Sequence, residues 1–135
     1  MLKHKTPYRV IYGDTDNMGQ AYYGNYLRWF EIGRNEMFRS FGLTYKTVEE
    51  NGIFLPVAET HCKYRTPAKY DDLLIIETSI DPAIKAGIKF DYKIVKDDNG
   101  DIVAEGFTKH PCLNREGKVV RPPKFIKEII QKNGP

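Results

Sequence analysis

One segment dominates what this chain can fold into. From about residue 24 to residue 41, Tyr26, Phe30, Gly33, Met37 and Phe41 recur at intervals of three and four, with Trp29 beside them. Arg28, Glu31, Arg34, Asn35 and Arg39 fall mostly elsewhere. This is the period of an amphipathic helix of about five turns, with Asn25 placed to cap its start and Gly42 to stop its end. Gly33 sits on the apolar stripe, where glycine costs roughly 1 kcal/mol against alanine. Close passage of another backbone and simple tolerance both account for it. The remainder reads as strand. Tyr8, Val10 and Tyr12 alternate with Arg9 and Ile11 in a first strand, and residues 55–64, 73–80, 88–96 and 102–113 follow. Asp97-Asp98-Asn99-Gly100 carries the turn chemistry to join the last two as a hairpin. Asn114-Arg115-Glu116-Gly117 closes the strand region, and Pro122-Pro123 opens a short helix bearing Phe125, Ile126, Ile129 and Ile130.

The order of one strand, one long helix, four strands and a short helix implies a single α+β domain over residues 1–135, with a mostly antiparallel sheet. A lone long helix has one sheet to bury its stripe against, so the economical solution is a curved sheet wrapped around it. The edges or outer surface of that sheet would then favour self-association. At 135 residues, 41% hydrophobic and 29% charged, the chain can build a core of useful size. No stretch approaches the roughly 18 apolar residues of a membrane helix, so no transmembrane segment is expected. The first residues lack a secretory apolar region, which makes the cytoplasm the expected location. Cys62 and Cys112 have no paired spacing and read as reduced thiols. A net charge of +3, with basic and acidic residues interspersed, argues against nucleic acid and is compatible with a phosphate-bearing small molecule.

The richest polar cluster is Asp14-Thr15-Asp16-Asn17, between the first strand and the long helix. Taken alone, it fits a plain turn or a carboxylate base or nucleophile facing a cleft. A phosphoryl-transfer or metal-binding pair fits poorly: Met18 occupies the position where such a motif wants a hydroxyl or β-branched residue, and the chain lacks alternating β/α order. Two neighbouring ionised carboxylates disfavour each other, so Asp14 reads as a loop-fixing acceptor. Asp71-Asp72 read as a turn into the next strand. The histidines, His4, His61 and His110, lie away from this cluster, and no serine–histidine–aspartate arrangement is evident.

The segment from Tyr12 to Tyr26 resembles the signature of the 4-hydroxybenzoyl-CoA thioesterase family, including its Tol-Pal-associated acyl-CoA thioesterases. The shared spacing is an aspartate, a glycine three residues on, an aromatic or histidine seven on and an aromatic ten on: here Asp16, Gly19, Tyr23 and Tyr26. The resemblance continues through Arg34, Pro67, Ala68 and the Tyr70-Asp71-Asp72-Leu73 turn. It implies the hotdog fold, an antiparallel sheet around one long helix. It also implies hydrolysis of acyl-CoA to free acid and CoA, with no metal and no organic cofactor. Asp16 becomes the nucleophile or general base, and the Tyr23 N–H becomes the oxyanion donor at a helix N-terminus. Tyr23 stands where the Tol-Pal branch often carries histidine.

Gly19, Asn25, Tyr26, Pro56 and Val57 are the expected substrate-pocket residues, with capping and core packing as competing roles for Asn25 and Tyr26. Lys85, Lys89 and Arg121, with Lys118 and Lys124 beside the last, are the expected contacts for CoA phosphates. Ala83-Ile84-Lys85 departs from the consecutive arginines common in relatives. The resemblance further implies a homodimer joined edge to edge with active sites at the interface, pairing again into a homotetramer. An acyl carrier protein is a further expected partner on the basic surface. The competing reading is a non-catalytic acyl-CoA or acyl-carrier-protein binding or sensing protein. A hotdog dehydratase would want a histidine near the signature.

Overall fold

The computed structural model describes residues 2–81 and 87–132. In chain order it has β1 (Leu2–Arg9), a short 3-10 turn (Tyr12–Asp14), α1 (Asn25–Ser40), α2 (Tyr45–Glu50), β2 (Glu59–Tyr64), β3 (Leu73–Ile80), β4 (Gly87–Lys96), β5 (Ile102–Pro111) and α3 (Lys124–Lys132). The strands form one sheet in the order β1-β3-β4-β5-β2, and every adjacent pair is antiparallel. α1 lies across β1, β3 and β4. This is the expected hotdog arrangement.

The core follows from two periods meeting. β3 and β4 bury alternate residues, Leu74, Ile76, Thr78 and Ile80 on one and Ile88, Phe90, Tyr92 and Ile94 on the other. The buried stripe of α1 is Tyr26, Trp29, Phe30, Gly33, Arg34, Met37 and Phe38. Phe30 stacks on Tyr92 with ring centroids 4.2 Å apart. Burying side chains of this size stabilises the fold by roughly 1.5–3 kcal/mol each. Gly33 is required by close approach: a β-carbon there would fall 2.7 Å from Ile76 Cγ2 and would overlap Thr78 Oγ1. The neighbours are strand side chains, not the passing backbone that the sequence suggested.

Several expectations shift. The first strand is Leu2–Arg9, ending where it was expected to begin. Its sequence is polar and contains Pro7, both tolerable because β1 is an edge strand. Val10 is buried, but Ile11 and Tyr12 are exposed in the turn. Gly24, with helical backbone angles, precedes α1, and Asn25 is its first residue, so Asn25 is not the cap. Gly42 does end the helix: its N–H bonds the Arg39 carbonyl, and the Leu43 N–H bonds that of Phe38. α2 was not foreseen; Thr44 caps it by accepting from the Thr47 N–H at 3.1 Å. β2 begins four residues late because Pro56 interrupts its approach. The β4–β5 hairpin and the final short helix lie where the sequence placed them. No helix among the described residues is long and apolar enough to cross a membrane.

Candidate active site

The loop between β1 and α1 is built from the side chains up. Asp14 is buried, with one carboxylate oxygen accepting from the Tyr8 hydroxyl at 2.8 Å and the Ile11 N–H at 3.0 Å. Its carbonyl accepts from the Tyr22 N–H and from Asn25 Nδ2. Burial and the Asp14 carboxylate together hold the Tyr8 hydroxyl above the ordinary tyrosine range. Asp14 is therefore committed to holding the loop, and Asn25 ties the helix start back to it.

Asp16 lies one turn further on and is exposed. Thr15 bridges Ala21, the Asp16 N–H bonds the Gln20 carbonyl at 2.8 Å, and the Gly19 N–H returns to the Asp16 carbonyl at 3.1 Å. This tight reversal is possible because Gly19 adopts φ +76°. Asp16 Oδ1 accepts from the Met18 N–H at 2.8 Å and, longer, from the Gln20 N–H at 3.4 Å. Among the described residues, Oδ2 has no hydrogen-bond partner. The hairpin is anchored to the β2–β3 connection by the Ala21 N–H on the Ala68 carbonyl and by a Gln20–Lys69 bridge.

The chain then enters α1. Among the described residues, the Tyr23 and Gly24 N–H groups meet no acceptor. Free donors at a helix start, with the positive end of its dipole, suit a developing oxyanion. The Tyr23 carbonyl is fixed by the Tyr64 hydroxyl at 3.1 Å, while the ring stays exposed. Tyr26 is buried, its hydroxyl accepting from the Ala68 N–H at 3.4 Å and its ring meeting Tyr64 edge-on at 5.0 Å. It packs the base of the site.

Asp16, Gly19 and Tyr23 thus share one short, tied segment. Pro56 and Val57 are exposed on the approach to β2, and Val57 lines a cavity of about 310 Å³ with Leu27, Glu31, Arg34 and Thr108. Lys89 is elsewhere on the sheet, paired with Asp91 at 3.5 Å and 4.9 Å above the Phe107 ring. Arg121 is exposed just before α3. Among the described residues, no contact joins Lys89 or Arg121 to the Asp16 loop; Lys85 lies outside them. His110 is buried between the Leu55 carbonyl at 3.0 Å and Thr108 Oγ1 at 2.8 Å, and burial pushes its pKa down to about 4. Tyr64 and the Ala68–Lys69 backbone were missed from sequence, because their link to the loop is made only by tertiary pairing.

An aromatic surface surrounds this loop. Tyr12, Tyr22, Tyr23 and Tyr64 are all exposed, and Tyr12 stacks on Tyr70 at 3.8 Å. Such patches mark interaction surfaces. Residues 10–130 match the family described as the thioesterase-like superfamily. This chain belongs to that family. It is 34% identical to acyl-CoA thioesterase YbgC of Haemophilus influenzae, over 91% of this chain and 88% of that protein. It is 36% identical to 4-hydroxybenzoyl-CoA thioesterase of Pseudomonas sp., over 53% of each chain. Among solved structures, DHNA-CoA thioesterase from Staphylococcus aureus superposes with a TM-score of 0.88 at 26% identity, covering 98% of this chain and 91% of that one.

Proposed function

We propose that this member of the thioesterase-like superfamily hydrolyses acyl-CoA to free acid and CoA, with Asp16 as the reacting carboxylate. The observation that carries the reading is an exposed Asp16 whose Oδ2 has no partner among the described residues, held on a hairpin that runs directly into the Tyr23 and Gly24 N–H groups, which likewise meet no acceptor among them. The relatives named above act on CoA thioesters by name, which supports the same leaving group here.

Thioester hydrolysis needs a nucleophile, oxyanion stabilisation and departure of the thiolate. Asp16 either attacks the carbonyl carbon, giving a mixed anhydride and releasing CoA thiolate before water cleaves the anhydride, or takes a proton from the attacking water. In both routes the Tyr23 N–H holds the carbonyl oxygen as its charge grows. Label found in the Asp16 side chain after a single turnover in ¹⁸O-water would establish the anhydride route, because only water attacking the aspartyl carbon of an anhydride puts it there. The chemistry requires neither metal nor organic cofactor, so chelator treatment should leave the rate unchanged. Lys85, Lys89 and Arg121 are assigned to the CoA phosphates, and acyl carrier protein is a second acyl donor to test. The aromatic surface and the uncovered β2 edge support a homodimer with sites at its interface, pairing into a homotetramer in the cytoplasm.

The test is Asp16→Asn, which keeps the oxygen that accepts from the Met18 N–H. It should fold with an unchanged melting temperature and lose at least about 10³-fold in kcat against an acyl-CoA panel from acetyl to palmitoyl with aryl-CoAs. Undiminished turnover in that variant removes Asp16 from the mechanism; binding without product release in the native protein favours a sensor instead.

A further inference from the structure

Arg34 is an unusual charge to find under a helix. Its side chain is only 10% exposed, and its counter-ion, Glu31, stands 3.9 Å away with a side chain 60% exposed. Among the described residues, buried Arg34 Nε meets no hydrogen-bond acceptor and the buried Tyr45 hydroxyl has no hydrogen-bond partner. The Tyr45 and Tyr92 hydroxyls also stand beside the guanidinium, but neither carries a charge, and an anion closing on it would offset the cost of its burial.

Arg34 also lines the cavity between α1 and β2, whose other walls include Leu27, Val57 and Thr108. Leu27, Glu31 and Arg34 follow each other at intervals of four and three, along one stripe of α1 that begins just after Tyr23. Arg28 and Thr60 complete the lining, so near the start of the helix Leu27 and Val57 stand beside an exposed cation, and Arg34 adds a second, buried one further along. Thr108 stands in its wall with its hydroxyl already engaged by His110 at 2.8 Å and Tyr92 at 2.6 Å. Among the described residues, Arg34 Nε is a buried donor still without an acceptor.

We propose that Arg34 is a specificity-determining residue that selects acyl groups ending in a carboxylate, received in this cavity with the chain against Leu27 and Val57. The proposal rests on the thioesterase reading above and adds to it the chemistry of the acyl group. From Asn25, two residues after Tyr23, to Arg34 the helix rises about 14 Å, and long helical side chains lean back toward the N-terminus, which suits an acyl chain of about eight to ten carbons. Glu31 shares the wall and opposes a second carboxylate; its exposed side chain is free to turn into solvent.

The experiment compares matched pairs of CoA thioesters, octanoyl with suberoyl (its ω-carboxylate counterpart) and decanoyl with sebacoyl, in the native protein and in Arg34→Gln, Arg34→Lys and Glu31→Gln. In the native protein, the ω-carboxylate member should be favoured by about tenfold or more in kcat/KM, mainly through KM. Arg34→Gln should bring the ratio near one by lowering kcat/KM for the ω-carboxylate member more than for its uncharged partner, Arg34→Lys should retain part of the ratio, and Glu31→Gln should raise it. A native ratio at or below one, or a ratio that Arg34→Gln leaves intact, overturns the assignment. Because Arg34 is buried, melting temperatures accompany each rate. If Arg34→Gln does not fold, the native ratio and the Glu31→Gln response decide. Failure to hydrolyse any uncharged acyl-CoA in the panel counts against the parent reading; hydrolysis of those without the carboxylate preference counts against Arg34 alone.

Discussion

Asp14 and Asp16 are two positions apart and do opposite things. Asp14 is buried under donors from Tyr8 and Ile11, so Asp14→Ala strands two polar groups and should destabilise the protein by roughly 1–3 kcal/mol. For a domain of this size that is a melting-temperature drop of several degrees, and activity should fall only as the folded fraction does. Asp16 is exposed and mostly satisfied through Oδ1, so its loss should be read in rate and not in melting. If Asp14→Ala melts like the native protein, the loop does not depend on it. His110 supplies a second test at this scale. Burial holds its pKa at about 4, against an ordinary value of 6.5. The unfolded chain therefore takes up a proton that the folded one refuses. The neutral form's contribution is complete above pH 6.5 and is lost as pH falls toward 4, a swing on the order of 3 kcal/mol. Urea titrations between pH 7.5 and 4.5 should show native stability falling more steeply than that of His110→Gln; parallel curves would mean that His110 is not the titrating group.

At the scale of elements, α1 and the strands after it were legible because their periods are long and clean. β4 alternates Ile88, Phe90, Tyr92 and Ile94 with polar residues, and the α1 stripe runs for four turns, so each pattern names its own buried face. β1 was displaced for the opposite reason. Its inward positions include His4 and Thr6, so no apolar alternation shows in the sequence, and pairing with β3 makes Leu2–Arg9 a strand. The apparent alternation of Tyr8 to Tyr12 spans a buried Val10 and a solvent-facing turn. α2 is six residues long, too short to show a helical period. In the candidate site, Asp16, Gly19 and Tyr23 could be named from the family resemblance because its signature lies on one short segment; the residues alone left Asp16 as one carboxylate in a polar turn. Arg34, Thr108 and the Ala68–Lys69 anchor come from distant elements, and nothing local in the sequence ties them together. Gly33 tests whether the close packing of α1 is as tight as its geometry implies. Alanine there gains helix propensity of about 1 kcal/mol but drives a methyl into Ile76 and Thr78, with an overpacking cost of about 1–3 kcal/mol. Gly33→Ala should therefore lower the urea midpoint, and a higher midpoint would mean that β3 yields easily.

At the scale of the molecule, the sheet has two edges of different character. β1 carries Lys3, Lys5 and Arg9 together with Pro7, the features that block a further strand. β2, Glu59–Tyr64, has no proline, is largely exposed and runs from the cavity wall toward the tyrosine cluster at the helix start. If two copies pair through this edge, their aromatic surfaces and Asp16 loops are brought to the same seam, and the open cavity gains a lid. Adjacent residues of a strand point their N–H groups to opposite sides. Of His61→Pro and Cys62→Pro, one therefore removes a bond to β5 and weakens the fold, while the other removes only a donor on the free edge. The second variant should melt within a few degrees of the native protein, sediment as a monomer and lose most acyl-CoA hydrolysis, because each site would lack its neighbour. Monomeric native protein with full activity would show that one chain suffices. Dimers that survive both prolines would place the contact elsewhere, with the tyrosine surface the next to alter.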